Sequence, residues 1–362
     1  MIKSPILQTR PRLRYACDEL TSMAEQLGPN AQLPTMVQLR ESLGVSMNTL
    51  NAALRELEKQ QVLRSVHGVG IFVQESQRHS LTGNIGLLLH SAYLTPSYNS
   101  AYMQTVLGGI REGSNEQGMK IVLLEDDDAI NLEEIDGILF YSDKLEVYAM
   151  GIPPEIPQVM IFQHTNDITT VTADDFGGSK LATSYLIQHG HRRIACLMEE
   201  LMDIPIQRRG GYQAALQEAG IAVQSDWLRL TEKMRPSKTA NYLEWGRHHM
   251  RAWLDEGWRD LNCTAIVAQN DLSAIGIIQI LQEAGIDVPG QVSVIGFDGT
   301  NVGDLVRPRL TSIEVPLRQI GQEAIKVLCG QIKNGQQAPH EISLPVKLRK
   351  GGSVAQINLK GE

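Results

Sequence analysis

The polar side chains with the clearest chemical meaning lie in residues 47–59. Asn48, Asn51 and Arg55 are spaced three and four residues apart, so they share one face of a helix. An asparagine amide can pair with adenine through two hydrogen bonds, and an arginine can pair with guanine or with a phosphate. The opposite face is apolar and carries Leu50, Ala53, Leu54 and Leu57. This pattern predicts an amphipathic helix that reads a groove of double-stranded DNA.

Two further helices and a short turn precede this segment. The apolar residues between 12 and 27 keep helical spacing, and Gly28 marks the end of that helix. Thr35 and Gln38 form a capping box, in which each side chain bonds a free backbone N–H at the start of a second helix. Ser46 can cap the third. Three helices joined in this way predict a helix-turn-helix.

A hairpin and a basic arm complete the N-terminal part. Residues 62–73 alternate in polarity around His67-Gly68, which predicts a β-hairpin suited to a wing. Three arginines lie at or before the start of the first helix. The predicted DNA-binding residues are Thr35, Ser46, Met47, Asn48, Thr49, Asn51, Arg55, His67, Gly68, Arg10, Arg12 and Arg14.

The charge distribution is compatible with DNA binding by the N-terminal part alone. The chain has a net charge of −8, but residues 1–78 hold nine Lys or Arg against seven Asp or Glu. The acidic excess therefore lies in the remainder of the chain. A weakly basic segment on an acidic body can still bind a polyanion through that segment.

Residues 11–73 resemble the GntR family of bacterial transcription regulators. The matching segments are Leu33-Pro34-Thr35, Gly44-Val45-Ser46, 53–58 and 67–73. Their order and separations imply a winged helix-turn-helix that binds DNA.

The chain departs from this family at three positions. Its members usually carry arginine where this chain has Val37, Met47 and Asn51. Because asparagine favours adenine and these arginines are missing, we predict an A·T-leaning half-site with few phosphate contacts.

The rest of the chain has the pattern of an α/β protein. Residues 74–83 are polar and typical of a linker, so the predicted domains are 1–73 and 84–362. Strand-like runs occur at 84–90, 120–125, 136–142, 158–163, 192–198, 264–270 and 292–298, and helical stretches at 102–118, 178–189, 208–219, 272–285 and 317–333. This alternation predicts parallel sheets covered on both faces, and the number of strands favours two Rossmann-like halves.

Ligands bind such sheets beyond the carboxyl ends of the strands. This rule places Tyr141, His164, Asn270 and Asp298 on the wall of a candidate cleft. No GxGxxG motif follows the first strand, so we expect no dinucleotide cofactor, and no residue set has the spacing of a metal site.

Residues 84 to about 353 resemble the effector domain of LacI/GalR repressors, which is similar to periplasmic sugar-binding proteins. The matching segments are Gly190-His191-Arg192-Arg193-Ile194-Ala195, Arg208, Gly211-Tyr212, Asn270-Asp271, Val288-Pro289, 292–298 and Leu310-Thr311-Ser312-Ile313. The resemblance implies two lobes that hold a small molecule, joined by three crossings near residues 163–165, 298–301 and 313–317. A GntR-type head on this body resembles the arabinose-responsive repressor type of regulator.

The resemblance also implies which residues bind the ligand. Carried over by position, the candidates are Tyr102 or Met103, Tyr141, His164, Arg208, Asn270 and Asp298. Asp271 is expected to cap the helix that follows it instead of binding ligand. Two departures are Gln163-His164, where the family often has Asp-Arg, and a ten-residue segment, 126–135, that is too short for the expected helix.

We therefore predict a ligand-responsive transcription regulator. It would be a homodimer that binds a pseudo-palindromic DNA operator and a sugar or sugar derivative, and repression is favoured by resemblance alone. An enzyme is not expected, because no nucleophile–base or metal set is present. The alternative is a regulator whose effector domain has lost its ligand and serves dimerisation only.

The sequence also bears on the compartment in which the protein works. It lacks the apolar core of a signal peptide, and its four cysteines lie far apart without a CxxC pair. A cytoplasmic protein without contact to a membrane is expected.

Overall fold

The computed structural model divides the chain between Thr82 and Gly83 into two compact units. It describes residues 11–28, 30–59, 62–66, 68–74, 81–89, 101–125, 131–141, 152–153, 155–163, 165, 167–200, 203–232 and 241–357. In this part of the chain, no helix is both long and apolar enough to cross a membrane.

The first unit is a three-helix domain with a β-hairpin. Its elements are α1 (Pro11–Leu27), α2 (Met36–Leu43), α3 (Met47–Lys59), β1 (Leu63–Val66) and β2 (Gly70–Val73). Gly44 ends α2 with φ 61°, a left-handed conformation that glycine adopts without the cost of a Cβ. The two strands pair antiparallel, which confirms the predicted wing.

One hydrophobic core holds the first unit together. Leu20 of α1, Leu39 of α2 and Leu50 of α3 are fully buried and pack in the same cluster. The loop before α2 is joined to the wing, because the N–H of Leu33 donates to the carbonyl of Ile71 at 2.8 Å. The wing is therefore fixed to the body of this unit at its second strand.

The second unit contains two six-stranded sheets. Strands of the first sheet are β3 (Asn84–Leu89), β4 (Lys120–Glu125), β5 (Gly137–Tyr141), β6 (Gln158–Ile161), β7 (Thr169–Ala173) and β13 (Glu341–Leu344). They are all parallel, in the order β13-β7-β6-β5-β3-β4. Helices α4 (Ala101–Gln117) and α9 (Leu317–Asn334) pack together against this sheet. We call this part lobe 1.

Strands of the second sheet are β8 (Ile194–Glu199), β9 (Leu228–Thr231), β10 (Ala265–Ala268), β11 (Ser293–Asp298), β12 (Thr311–Glu314) and β14 (Lys347–Arg349). Their order is β14-β12-β11-β10-β8-β9, and β14 alone is antiparallel to its neighbour. The helices packed on this sheet are α5 (Asp175–Gln188), α6 (Asp203–Glu218), α7 (Tyr242–Asp255) and α8 (Asp271–Glu283). We call this part lobe 2. The predicted fold class is thus confirmed.

The chain crosses between the lobes three times, but two of the predicted positions are wrong. The crossings lie between β7 and α5, between β12 and α9, and between β13 and β14. Residues 163–165 do not cross, because β7 returns the chain to the first sheet, and residues 298–301 do not cross, because β12 joins the same sheet as β11. The crossing at 313–317 is confirmed. The segment Leu132–Glu134 forms one 3₁₀ turn, in agreement with a shortened connection.

Candidate DNA-binding surface and ligand cleft

Helix α3 separates an apolar and a polar face as predicted. Its buried residues are Leu50, Ala53, Leu54 and Leu57. Asn48, Asn51 and Arg55 are exposed on the other side. Because the apolar stripe packs against α1 and α2, the polar face points to solvent and is open to a partner.

The start of α3 is fixed by its own side chains. The Oγ of Ser46 accepts from the backbone N–H of Thr49 at 3.2 Å, and the two hydroxyls lie 2.9 Å apart. This confirms that Ser46 caps the helix. Thr35 has the same role at α2, where its hydroxyl accepts from the N–H of Gln38 and the Gln38 side chain accepts from the N–H of Thr35. These hydroxyls stabilise the two helices that would meet DNA.

Two of the three positions that usually carry arginine in GntR regulators are apolar and exposed here. The exposed fraction is 53% for Val37 and 36% for Met47. Neither side chain can neutralise a phosphate. On α3, positive charge is therefore supplied by Arg55 and, at the end of the helix, by Lys59.

The wing and the arm are described in part. Gly68 is exposed at the hairpin with φ 76°, and the neighbouring Val69 is 60% exposed. Arg12 and Arg14 are exposed on the first turns of α1, where Arg14 lies 3.8 Å from Asp18. An ion pair so exposed contributes little stability and leaves the guanidinium able to exchange partners. The predicted residues Arg10 and His67 lie outside the described residues.

In the second unit, the predicted cleft residue Arg208 is buried and makes several polar contacts. The Nε of Arg208 on α6 donates to Asp175 Oδ1 at 2.8 Å, and its Nη1 donates to the carbonyl of Gln269. The Nη2 atom lies 3.8 Å from Asp298 Oδ1, and the guanidinium lies 3.6 Å from the centroid of the Phe297 ring. Burial acts to lower the pKa of Arg208. The charges of Asp175 and Asp298 raise this pKa by more than burial lowers it, so the guanidinium stays charged.

Asp298 closes the C-terminal end of β11 in an uncommon conformation. Its φ of 114° is a region that non-glycine residues rarely adopt, and such residues concentrate at binding sites. Burial raises the pKa of its carboxyl group well above the ordinary value, while the charge of Arg208 acts in the opposite direction. The backbone thus holds this carboxyl beside the guanidinium.

Lobe 1 contributes aromatic rings to the same cleft. The ring of Phe162 lies 5.4 Å from that of Tyr102 and 5.7 Å from that of Tyr141, measured between centroids. Burial raises the pKa of Tyr102 well above its ordinary value, and the charges of Tyr141 and Asp298 add to this effect. Tyr102 is therefore close to the polar groups of lobe 2. Met103, the other predicted position, is 3% exposed and packs in the core.

The cap of α8 is Asn270, whereas the sequence predicts Asp271 for that role. Asn270 is the N-cap of α8, and its side chain accepts from the N–H of Ser273 at 2.9 Å. Asp271 is 1% exposed and accepts hydrogen bonds from Ser312 Oγ and from the N–H of Thr300. The prediction that Asp271 is the cap is therefore wrong, since the helix begins one residue earlier than expected. Asp271 instead fixes the loop that follows β11.

Sequence reasoning missed several residues of the cleft. Asp175 was missed because strand β7, which places it at a carboxyl end, reads Thr-Thr-Val-Thr-Ala and was not recognised. Gln269 was missed too, although it adjoins Asn270; its amide bonds both the N–H and the carboxylate of Glu199. The signal that could have revealed both was their position directly after a parallel strand. His164 lies outside the described residues.

The two units together define a class of protein. A helix-turn-helix with an exposed polar face is joined in one chain to a two-lobed α/β domain with a cleft of aromatic rings and charged groups. This combination is the architecture of a ligand-responsive transcription regulator.

Two family models match the chain. The gntR family of bacterial regulatory proteins matches residues 23–73, and the periplasmic binding protein-like domain matches residues 183–354. The chain therefore combines a GntR-type helix-turn-helix with a periplasmic-binding-protein-like domain, as predicted.

Curated relatives cover nearly the whole chain at low identity. The transcriptional repressor PurR of Vibrio vulnificus is 26% identical over 351 residues, which cover 90% of this chain and 100% of PurR. The ribose operon repressor of Escherichia coli is 26% identical and covers 89% of this chain and 100% of its own length. The arabinose metabolism transcriptional repressor of Geobacillus stearothermophilus is also 26% identical and covers 90% and 92%.

Solved structures have the same fold. The transcriptional regulator CelR with cellobiose superposes with a TM-score of 0.65 at 22% identity, and covers 85% of this chain and 91% of CelR. A LacI family regulator from Enterococcus faecium with bound ribose gives a TM-score of 0.62 at 24% identity, and covers 76% and 100%.

The protein is thus a DNA-binding transcription regulator with a ligand-responsive domain, as predicted. Its relatives are transcription regulators and not enzymes, in agreement with the expected absence of catalysis.

Proposed function

We propose that the protein is a dimeric, cytoplasmic repressor of carbohydrate-related genes. A sugar or sugar derivative held between the two lobes changes its affinity for a pseudo-palindromic operator. The observation that carries this proposal is the cleft, where Tyr102, which packs against Phe162 in lobe 1, is near enough to Arg208 and Asp298 of lobe 2 for their charges to act on it. Relatives named for ribose and arabinose support the carbohydrate class.

The composition of the cleft suits a polyhydroxylated molecule. Tyrosine rings can cover the C–H face of a sugar, and a carboxylate and a guanidinium can accept from and donate to neighbouring hydroxyls. Arg208 and Asp298 are already held in place by Asp175, Gln269 and the strained backbone at the end of β11. A ligand would therefore meet groups that need little reorganisation, which favours affinity.

The DNA side of the proposal depends on α3. Asn48 and Asn51 would pair with adenines, Arg55 and the arm residues Arg12 and Arg14 would contact phosphates or guanine, and Gly68 would bring the wing close to the duplex. Two such heads on a two-fold axis would read two half-sites. The two affinities would be coupled reciprocally, typically by about 1–3 kcal/mol.

One experiment tests both sides of the proposal. The purified protein captures sheared genomic DNA at moderate salt, the enriched fragments are footprinted, and binding is repeated with pentoses, hexoses, nucleosides and phosphosugars. We expect two protected half-sites and one compound that changes the affinity at least fivefold. Protection that no compound alters would instead indicate an effector domain that serves dimerisation only. Absence of enrichment under every condition would contradict the proposal.

A further inference from the structure

Met47 presents an apolar side chain at the N-terminal edge of the polar face of α3. It is the first residue of α3 and is 36% exposed, while the apolar residues of the next two turns are buried. Met47, Asn51 and Arg55 are four residues apart, so they form one row along the helix. Met47 is also three residues before the buried Leu50, so it lies at the border between the apolar stripe and the exposed face that carries Asn51.

The position of Met47 places it against base edges once the helix binds DNA. In a helix-turn-helix, the N-terminal residues of the second helix contact the bases in the major groove. The side chain of Met47 is 36% exposed at the start of the helix, while Leu50 and Leu54 are buried. The exposed part of this methionine would thus meet a base edge in the groove.

The chemistry of the groove leaves one good match. Each base pair presents hydrogen-bond donors and acceptors there, and the C5-methyl group of thymine is the apolar feature. A thioether has no donor and accepts only weakly, so against any other edge it would cover polar atoms without replacing the hydrogen bonds that water makes to them, which costs free energy. Against a methyl group it excludes water from two apolar surfaces, and its flexible chain can adapt to the contact.

We propose that Met47 reads a thymine methyl group in each half-site, next to an adenine paired by Asn48 or Asn51. The inference rests on the proposed DNA-reading role of α3 and makes it more specific. It assigns the A·T preference to two kinds of contact, one polar and one apolar. It also explains how a reading helix can be selective without the usual arginines at positions 37, 47 and 51.

A uracil scan of a selected half-site tests this assignment. The full-length protein selects its preferred sequence from a randomised duplex library, and each thymine of that sequence is then replaced by deoxyuridine, which lacks only the methyl group. We expect one position in each half-site where the replacement weakens binding about fourfold, the value for one buried methyl group. The other positions should change the Kd by less than about twofold, since uracil keeps every hydrogen-bonding group of thymine.

A cycle of variants then connects the effect to Met47. On thymine DNA, Met47→Ala should weaken binding by a similar factor, and on uracil DNA it should add nothing. Met47→Leu, which remains apolar, should keep the sensitivity to uracil. Leu27→Ala is the matched control, because Leu27 is an exposed apolar residue of α1 with an exposed fraction of 44%.

The outcomes are distinguishable. A library that yields no enriched sequence would overturn the DNA-reading role itself and this inference with it. An enriched sequence with a flat uracil scan would overturn the inference alone. So would a uracil effect that remains undiminished in Met47→Ala, provided that this variant keeps the helical circular dichroism of the parent.

Discussion

The reading face of α3 and the cleft of the second unit hold similar polar groups in opposite states. On α3, Asn48, Asn51 and Arg55 are exposed on a helix fixed from behind by its apolar stripe. In the cleft, Arg208 and Asp175 are buried against each other, with side-chain exposures of 6% and 2%. The first region keeps its groups available for a partner, and the second keeps them rigid by pairing them internally. Substitutions should thus change affinity in one region and stability in the other.

The largest expected effect is the loss of the buried ion pair. Arg208→Met should reduce the free energy of unfolding of the second unit by about 3–5 kcal/mol, because Asp175 is left buried without its cation. Urea denaturation followed by tryptophan fluorescence measures it, since Trp245, Trp253 and Trp258 are buried in lobe 2.

An exposed ion pair of similar length provides the matched control. Lys180 Nζ lies 2.7 Å from Glu218 Oε1, with side-chain exposures of 36% and 63%. Lys180→Met should therefore change stability by less than about 1 kcal/mol. Equal losses in both variants would mean that the buried Arg208–Asp175 pair stabilises the protein no more than an exposed ion pair does.

The second prediction concerns the pH dependence of the second unit. Burial raises the pKa of Asp271 from 3.8 to about 6. Because its pKa is raised, this carboxyl binds its proton more tightly in the folded state than in the unfolded state. Its contribution to stability is therefore fully present below about pH 4 and is lost as the pH rises from about 4 to 6. The full difference is about 3 kcal/mol, and Asp271→Asn should remove it.

The free energy of unfolding is measured for the wild type and for Asp271→Asn at each pH, and the second value is subtracted from the first. The subtraction is needed because burial lowers the pKa of His191 to about 4, and this residue makes the protein less stable as the pH falls. Asp298 interacts with Asp271, so part of the difference belongs to the pair. A difference that is constant from pH 4 to 7 would contradict the prediction.

The third prediction tests the reading face. Asn51→Ala should weaken binding to the selected operator by about 1–3 kcal/mol and relax the preference for one base pair in each half-site. The stability of the first unit should not decrease, since the side chain is exposed and alanine favours helix. Competition binding with single-base variants of the operator measures the effect.

The same substitution on an exposed helix of the second unit is the control. Asn115 lies on α4 and is exposed, so Asn115→Ala should leave operator affinity unchanged. If Asn51→Ala instead destabilises the first unit, the side chain has a structural role that the exposed position does not suggest.

The sequence predicted the first unit better than the second for a physical reason. The helices and wing of the first unit are specified by local signals, such as the box of Thr35 and Gln38 and the cap at Ser46. Each of these involves residues a few positions apart. The pattern of buried residues on α3 is equally local, because it follows from helical periodicity.

The cleft depends on contacts between residues that are distant in sequence. Arg208 meets Asp175 and Asp298 because the second turn of α6, the start of α5 and the end of β11 come together in lobe 2, and no periodicity reveals such a meeting. The error at Asn270 and Asp271 has another origin. Both residue types are common helix caps and the two are adjacent, so the sequence does not show which of them is the cap. The missed strand β7 shows that threonines buried in a parallel sheet do not produce an apolar signal.

The smallest expected effect concerns the salt dependence of DNA binding. A surface without arginine at positions 37, 47 and 51 should give a shallow slope of log Kd against log salt concentration, because few phosphates are neutralised. Val37→Arg should steepen this slope by about 0.9, the value for one added phosphate contact, since Val37 is 53% exposed on the first turn of α2. Leu27→Arg adds the same charge on α1 and should change the slope less. Equal slopes in the two variants would show that position 37 does not face the backbone of the duplex, and a steep slope in the wild type would show that other cations supply the missing contacts.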